Sequence, residues 1–318
     1  MNGDHMVLGS LVTDKKAIIL VIILFLLCLV AIAGNGFVTA VLGMEWVLRR
    51  TLLPCDKLLV SLGASRFCLQ WVELGKTIYL FLYPTAFPYN PVLQFLAIQW
   101  DFLNAATLWF SSCLSVFYCV KIATFTHPVF LWLKRKLSGW VPWMLFGSVG
   151  LSSFSTILFF IGNQRIHQNY LRNRLQPWKV TGNSIKSSCE KFYLFPLKMV
   201  TWTVPTAVFF ICMILLITSL GRHMKKALLT TSGFQEPCLQ AHIKALLALI
   251  SFAILFISYF LSLVFSAAGI FLPLDFKFWM WQSVIYLCAA VHPIILLFSN
   301  PRLRAVLERC HSSRYGAP

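Results

Sequence analysis

Residues 109–136 read WFSSCLSVFYCVKIATFTHPVFLWLKRK. As far as Val120 the stretch is almost wholly apolar, aromatic or small. Lys121 then opens a segment that contains His127-Pro128 and closes on Lys134-Arg135-Lys136. An apolar helical run that ends in a basic, aromatic, proline-broken segment is the way a membrane span enters water. Lys121 can keep its ammonium in water while its stem lies along apolar surface. Pro128 lacks a backbone donor and disfavours helix at His127, so a break is expected there. The FLWLKRK that follows, residues 130–136, reads as an amphipathic basic segment lying at the membrane surface.

The rest of the chain agrees with that opening. Of its 318 residues, 58% are hydrophobic and only 12% charged, more apolar surface than a soluble core can hide. Taking ~20 mostly apolar residues as the requirement for a crossing, seven segments qualify. They run roughly 17–42, 56–83, 92–122, 138–162, 193–220, 244–270 and 278–298. The expectation is an all-α membrane protein, a bundle of seven transmembrane helices forming one domain over 1–318. It has a short outer N-terminus, 1–16, and a short cytoplasmic tail, 299–318. No short apolar stretch with a small-residue cleavage site precedes the first span, so a cleaved signal peptide is not expected.

The net charge of +17 is distributed as a membrane protein would distribute it, not as a nucleic-acid binder would. Arg49, Arg50 and Lys57 lie between spans one and two, Lys121 and Lys134 to Lys136 after span three, and Arg222, Lys225, Lys226 and Lys244 around spans five and six. The loop from Pro84 to Pro91 has no Lys or Arg. Positive residues favour the cytoplasmic side, which places the N-terminus outside and the C-terminus inside. The segment after span four is basic and dissents. Of ten cysteines, Cys28, Cys68, Cys113, Cys119, Cys212 and Cys288 fall within apolar spans and read as small buried hydrophobes. Cys189 is alone in an outer loop, and Cys310 is a single juxtamembrane candidate for acylation.

Polar groups at membrane depth are costly and have to find partners or water. At 1.5 Å per residue, Asn35, Arg66 and His292 all fall within roughly 5–8 Å of the midplane, on its cytoplasmic side. They read either as a polar hub whose repacking couples the two ends of the bundle or as a static clamp. Toward the outside, Trp100 and Asn104 are four apart and share a helix face. Trp100 lies roughly 12 Å below the outer end, too deep for an interfacial anchor, so it reads as a pocket wall in preference to a packing residue. Glu73 and Lys76, three apart, are expected to neutralise each other. That leaves Asp101 as the main uncompensated negative group near the cavity.

Several strings closely resemble the bitter taste receptors, a G-protein-coupled family. They are the series Trp109-Phe110, Ser115-Val116-Phe117-Tyr118, Lys121-Ile122-Ala123 and His127-Pro128; Gly34-Asn35-Gly36-Phe37; Leu62-Gly63-Ala64-Ser65-Arg66; Leu216, Ser219, Leu220 and His223; Ala241-His242 with Lys244; and HPIILLFSNPRLR from His292. The resemblance implies a ligand cavity lined by Trp100, Asn104, Tyr259 and Gln282, with Asp101 nearby. It also implies a G-protein-coupling face at Tyr118, Lys121, His223 and Lys244, and a gustducin-type heterotrimer as partner. Departures are Pro293 where the family often has Ser, Ala227 where it often has Met, and Gln282 where some members have Glu. The Asp-Arg-Tyr and Asn-Pro-x-x-Tyr signatures of the larger rhodopsin-like class are absent, as is any Asn-x-Ser/Thr glycosylation acceptor.

The leading reading is therefore a multi-pass plasma-membrane receptor for small bitter compounds. The alternative is a multi-span transporter or channel, which would carry inverted repeats and broken midplane helices. An enzyme would need a nucleophile with its base or a metal cluster, and HExxH, GxSxG and paired intramembrane Asp residues are missing. No cofactor is implied, and the histidines lack the Cys or carboxylate company of a metal site.

Overall fold

The computed structural model describes residues 15–49, 52–82, 90–123, 128–174, 194–230, 236–268, 276–300 and 303–308. Seven long helices make up nearly all of it: α1 Lys15–Arg49, α2 Pro54–Leu82, α3 Pro91–Ile122, α4 Pro128–Arg174, α5 Phe195–Thr230, α6 Glu236–Ala267 and α7 Phe276–Ser299. Consecutive helices are neighbours, and α1 also packs on α7, closing the bundle. Helix α3 is its axis, touching α2, α4 and α5, and it is the most enclosed of the apolar helices.

Local sequence sets the helix starts. Pro91 occupies the first turn of α3, where a missing N–H costs nothing, and Asn90 caps it by accepting from the Val92 N–H at 2.9 Å. Pro128 plays the same part for α4, and here an expectation is corrected. The 130–136 run is not a separate surface segment but the first turns of a single 47-residue helix. Proline at N1 fits a helix start as well as it enforces a break, and Trp132 is held edge-on to Trp140 two turns later, at 5.4 Å between ring centroids.

Six of the seven helices are long and apolar enough to cross a membrane by themselves. Helix α2 falls short because Asp56, Lys57, Arg66, Glu73 and Lys76 lower its hydropathy. It is held in the bundle by an inward face of Leu58, Leu59, Leu62 and Leu69. The outward faces of the others carry large apolar side chains such as Trp143, Phe146 and Phe298, each at least 70% exposed, a surface suited to lipid and not to water. Cys68 is exposed too, contrary to the buried role expected of it; Cys28, Cys113, Cys119 and Cys288 are buried and Cys212 is partly buried, and these cysteines, with Cys55, are free thiols. The loop holding Cys189 and the tail holding Cys310 lie outside the described residues.

Two apolar clusters fill the interior. One joins α1 to α4 around Leu42, Leu59, Phe110 and Phe117 and takes in Leu303 from the short helix 303–308. The other joins α3, α5, α6 and α7 around Leu108, Trp202, Phe209, Phe256 and Ile285. Small residues set the closest approaches, as membrane helix packing requires. A Cβ on Gly34 would lie 2.8 Å from Pro293 Cγ, and one on Gly63 would lie 2.7 Å from Thr39 Oγ1. Polar ties cross the same seams. Ser112 donates to the Pro205 carbonyl of α5, and the Cys113 thiol lies 3.3 Å from Ser148 Oγ of α4.

Candidate functional site

Three polar levels are stacked along α3. At the end of the bundle where α3 begins, the Trp100 indole is edge-on to Trp202 of α5, with centroids 6.2 Å apart. Two ammonium groups approach its face, Lys76 at 5.3 Å and Lys198 at 5.7 Å from the centroid, within cation–π range. Lys198 also lies 3.1 Å from Asp101 Oδ1, an ion pair by distance with angles outside hydrogen-bond geometry. Two expectations are thereby corrected. Asp101 is compensated, and Glu73 does not pair with Lys76, because Tyr286 of α7 donates to Glu73 Oε2 at 3.3 Å. Sequence spacing brought the two α2 residues onto one face, but a neighbouring helix supplied the nearer partner.

One turn deeper, Asn104 is completely buried and accepts a hydrogen bond from the Tyr259 hydroxyl of α6, while its Nδ2 has no partner. Trp100, Asn104 and Tyr259 are thus brought into one neighbourhood. Gln282 is partly exposed on α7.

The middle level is a cavity of about 30 Å³ between α2, α3, α6 and α7. Arg66 and His292 line it together, with Gln70, Thr107, Cys288 and Tyr259. Arg66 Nη1, Gln70 Oε1 and His292 Nδ1 are sealed from solvent and make no hydrogen bond. The imidazole of His292 leans on the Phe252 ring at 4.4 Å. Asn35 is close by without lining the cavity: its Nδ2 donates to Ala31 O at 2.9 Å and to Ala289 O of α7 at 3.4 Å, and Ala289 is itself part of the lining. The three residues expected in one layer therefore occupy one neighbourhood, although no direct side-chain bond joins them.

Tyr259 belongs to both levels, bonding Asn104 above and lining the Arg66 cavity below. Beside it, Phe256 stacks on Phe209 at 3.9 Å and Phe209 meets Phe252 at 5.6 Å, within the same apolar cluster that holds Trp100 and Trp202 and whose Phe252 touches His292.

At the opposite end of α3, the Tyr118 hydroxyl accepts from the Cys55 thiol at 3.3 Å. Lys121 Nζ donates to the Lys134 carbonyl at 2.9 Å, tying the end of α3 to the start of α4. His223 is exposed on α5, and Lys244 lies on α6 with its side chain outside those described. Sequence reasoning missed Lys198, Trp202 and Gln70. Gln70 was signalled by its position four residues after Arg66, on the same face; Lys198 and Trp202 carried no such mark.

Comparison with known proteins fits this arrangement. A crystal structure of squid rhodopsin superposes with a TM-score of 0.58, covering 95% of this chain and 88% of that one, at 14% identity, which establishes the fold alone. Taste receptor type 2 member 60 of Homo sapiens is 85% identical over 318 residues, covering the whole of both chains. Taste receptor type 2 member 135 of Mus musculus is 59% identical over 309 residues, covering 97% of this chain and 99% of that one. The family model described as taste receptor protein (TAS2R) matches residues 12–312. With a rhodopsin-like bundle and likeness that runs the length of the sequence, the chain belongs to the taste receptor type 2 family.

Proposed function

We propose that this G-protein-coupled bitter taste receptor takes small amphipathic compounds at the Trp100 level and passes their binding through Tyr259 to the Arg66–His292 cavity, and so to a gustducin-type G protein. As a member of its family it is a multi-pass plasma-membrane protein that senses small ligands and couples to a G protein, and it is not an enzyme. The N-terminus is assigned to the outside on the distribution of Lys and Arg. Trp100, Asp101, Asn104 and Tyr259 then face the outer half of the bundle, with Gln282 nearer its rim. Tyr118, Lys121, His223 and Lys244 face the cytoplasm, beside the lipid headgroups that the basic residues favour.

The observation that carries this reading is the double membership of Tyr259. A ligand shifts a conformational balance only through contacts that differ between the two arrangements. A compound entering beside Trp100 competes with or reinforces the Tyr259–Asn104 bond, and Tyr259 cannot move without changing the wall of the cavity that holds Arg66 and His292. Asn35 then carries the change to α1 through the Ala289 carbonyl. Among the described residues Lys76 has no ion pair, so the site favours ligands with an acidic or electron-rich group over cationic ones.

The test is calcium imaging in cells supplied with a taste-type G protein and challenged with a library of bitter compounds. Responses that shift to higher concentration in Trp100→Ala and fade in Lys121→Met, at matched surface expression, support the reading. Silence to every compound at verified surface expression, or ion flux without ligand, overturns it.

A further inference from the structure

The middle cavity contains a cation, Arg66, that no carboxylate balances among the described residues. Arg66 Nη1 is sealed from solvent without a hydrogen bond, and among the described residues no carboxylate lies within ion-pairing distance of the guanidinium. Asp101 is taken by Lys198. Glu73, seven positions on and so about 10 Å along the helix, is engaged by Tyr286. A buried unpaired charge is among the costliest features a protein can hold, and it persists only with compensation.

Two of the other residues lining this space also carry unpartnered groups. His292 and Gln70 are only 5% and 3% exposed, and His292 Nδ1 and Gln70 Oε1 lack partners. Neutral imidazole can carry its proton on Nδ1, and the Gln amide can present either end to the cavity. Three donors are therefore available from residues that line one cavity: a guanidinium N–H, an imidazole N–H and an amide N–H. The nearby hydroxyls are already committed, Thr107 donating to Ser65 at 3.1 Å and Tyr259 to Asn104. The cavity, about 30 Å³, accommodates one body of water or halide size. A water would satisfy the hydrogen bonds and leave the charge, whereas a monovalent anion satisfies both.

We infer that this cavity is a binding site for a halide-sized monovalent anion, with chloride as the probe, coordinated by Arg66, His292 and Gln70. The anion neutralises Arg66 within the bundle and holds α2 to α7. It goes beyond ligand sensing, since the stability of the empty receptor becomes dependent on chloride.

The experiment measures thermal unfolding of the purified full-length receptor at constant ionic strength while sodium gluconate is replaced by sodium chloride or sodium bromide. At about ten times its dissociation constant a bound anion raises Tm by ~2–5 °C, and the rise should saturate with chloride and bromide alike. Arg66→Gln should abolish the dependence, and Gln70→Leu should require ~10-fold more chloride to reach the same Tm. Should Arg66→Gln fail to fold, anomalous scattering from bromide in the unaltered protein decides: a peak between Arg66 and His292 supports the site, and its absence there refutes it. Equal Tm in gluconate and chloride would mean a water-filled cavity and overturn the inference. So would a chloride effect that survives Arg66→Gln.

Discussion

The Tyr259–Asn104 bond can be isolated by a double-mutant cycle. Tyr259→Phe keeps the ring that packs against the apolar cluster containing Trp202 and Phe256 and deletes only the hydroxyl. Asn104 is then left fully buried with neither end of its amide bonded, since Nδ2 already lacks a partner. Stranding such a group costs ~1–3 kcal/mol. Where the two arrangements of the bundle differ in this bond, a loss of ~1–2 kcal/mol from one of them moves the balance by ~5- to 30-fold. Asn104→Ala removes the same bond from the other side. Each single variant should therefore shift the half-maximal agonist concentration by ~5- to 30-fold, and the double variant should lie within ~3-fold of the larger single shift. The assay is calcium mobilisation normalised to surface expression, with one agonist used for all four receptors. Shifts that simply add on a logarithmic scale would refute the claim that the two side chains act as one contact.

The remaining predictions concern packing, charge and coupling. Gly34→Ala forces a Cβ to within 2.8 Å of the stiff Pro293 ring and should lower Tm by ~2–8 °C; Pro293→Ala should restore at least half, while Gly43→Ala, which meets nothing within 4 Å, should leave Tm unchanged. Lys198→Met strands the largely buried Asp101 carboxylate and should lower Tm, an effect that Asp101→Asn in the same chain reverses; a drop that the second change fails to reverse would count against the ion pair. Lys121→Met loses the donor to the Lys134 carbonyl and should reduce maximal G-protein response by severalfold with agonist binding intact, and Lys121→Arg should retain most of it. A radioligand measurement showing equally weakened binding in Lys121→Met would contradict that assignment.

Much of this could be seen in the sequence because a bilayer imposes simple rules. Apolar run length located the helices, and residue counting placed Asn35, Arg66 and His292 at a common depth before any contact was known. The four-residue spacing of Trp100 and Asn104 put them on one face, the family resemblance added Tyr259, and the structure supplied the bond from Tyr259 of α6 to Asn104. Spacing failed where a flexible side chain had a choice of partners. Glu73 and Lys76 share a face of α2, yet Tyr286 takes the carboxylate and Trp100 takes the ammonium, because the neighbours on α7 and α3 are set by packing that no single-helix rule contains. Lys198 was invisible for the same reason: its role depends on α5 standing next to α3. The His127-Pro128 break misled in another way, since proline ends one helix and starts the next with equal ease, and α4 absorbs the basic run that follows. The five charges that kept α2 below the apolar threshold for crossing include the residues that build the interior site.

The most direct test of the central claim is nucleotide exchange on a gustducin-type heterotrimer in membranes carrying this receptor, with and without bitter compounds. The account predicts exchange that rises severalfold with at least one compound, moves to higher concentration in Trp100→Ala, and is unaltered in Gly43→Ala. No stimulation by any compound, with correctly folded receptor verified in the same membranes, would contradict it.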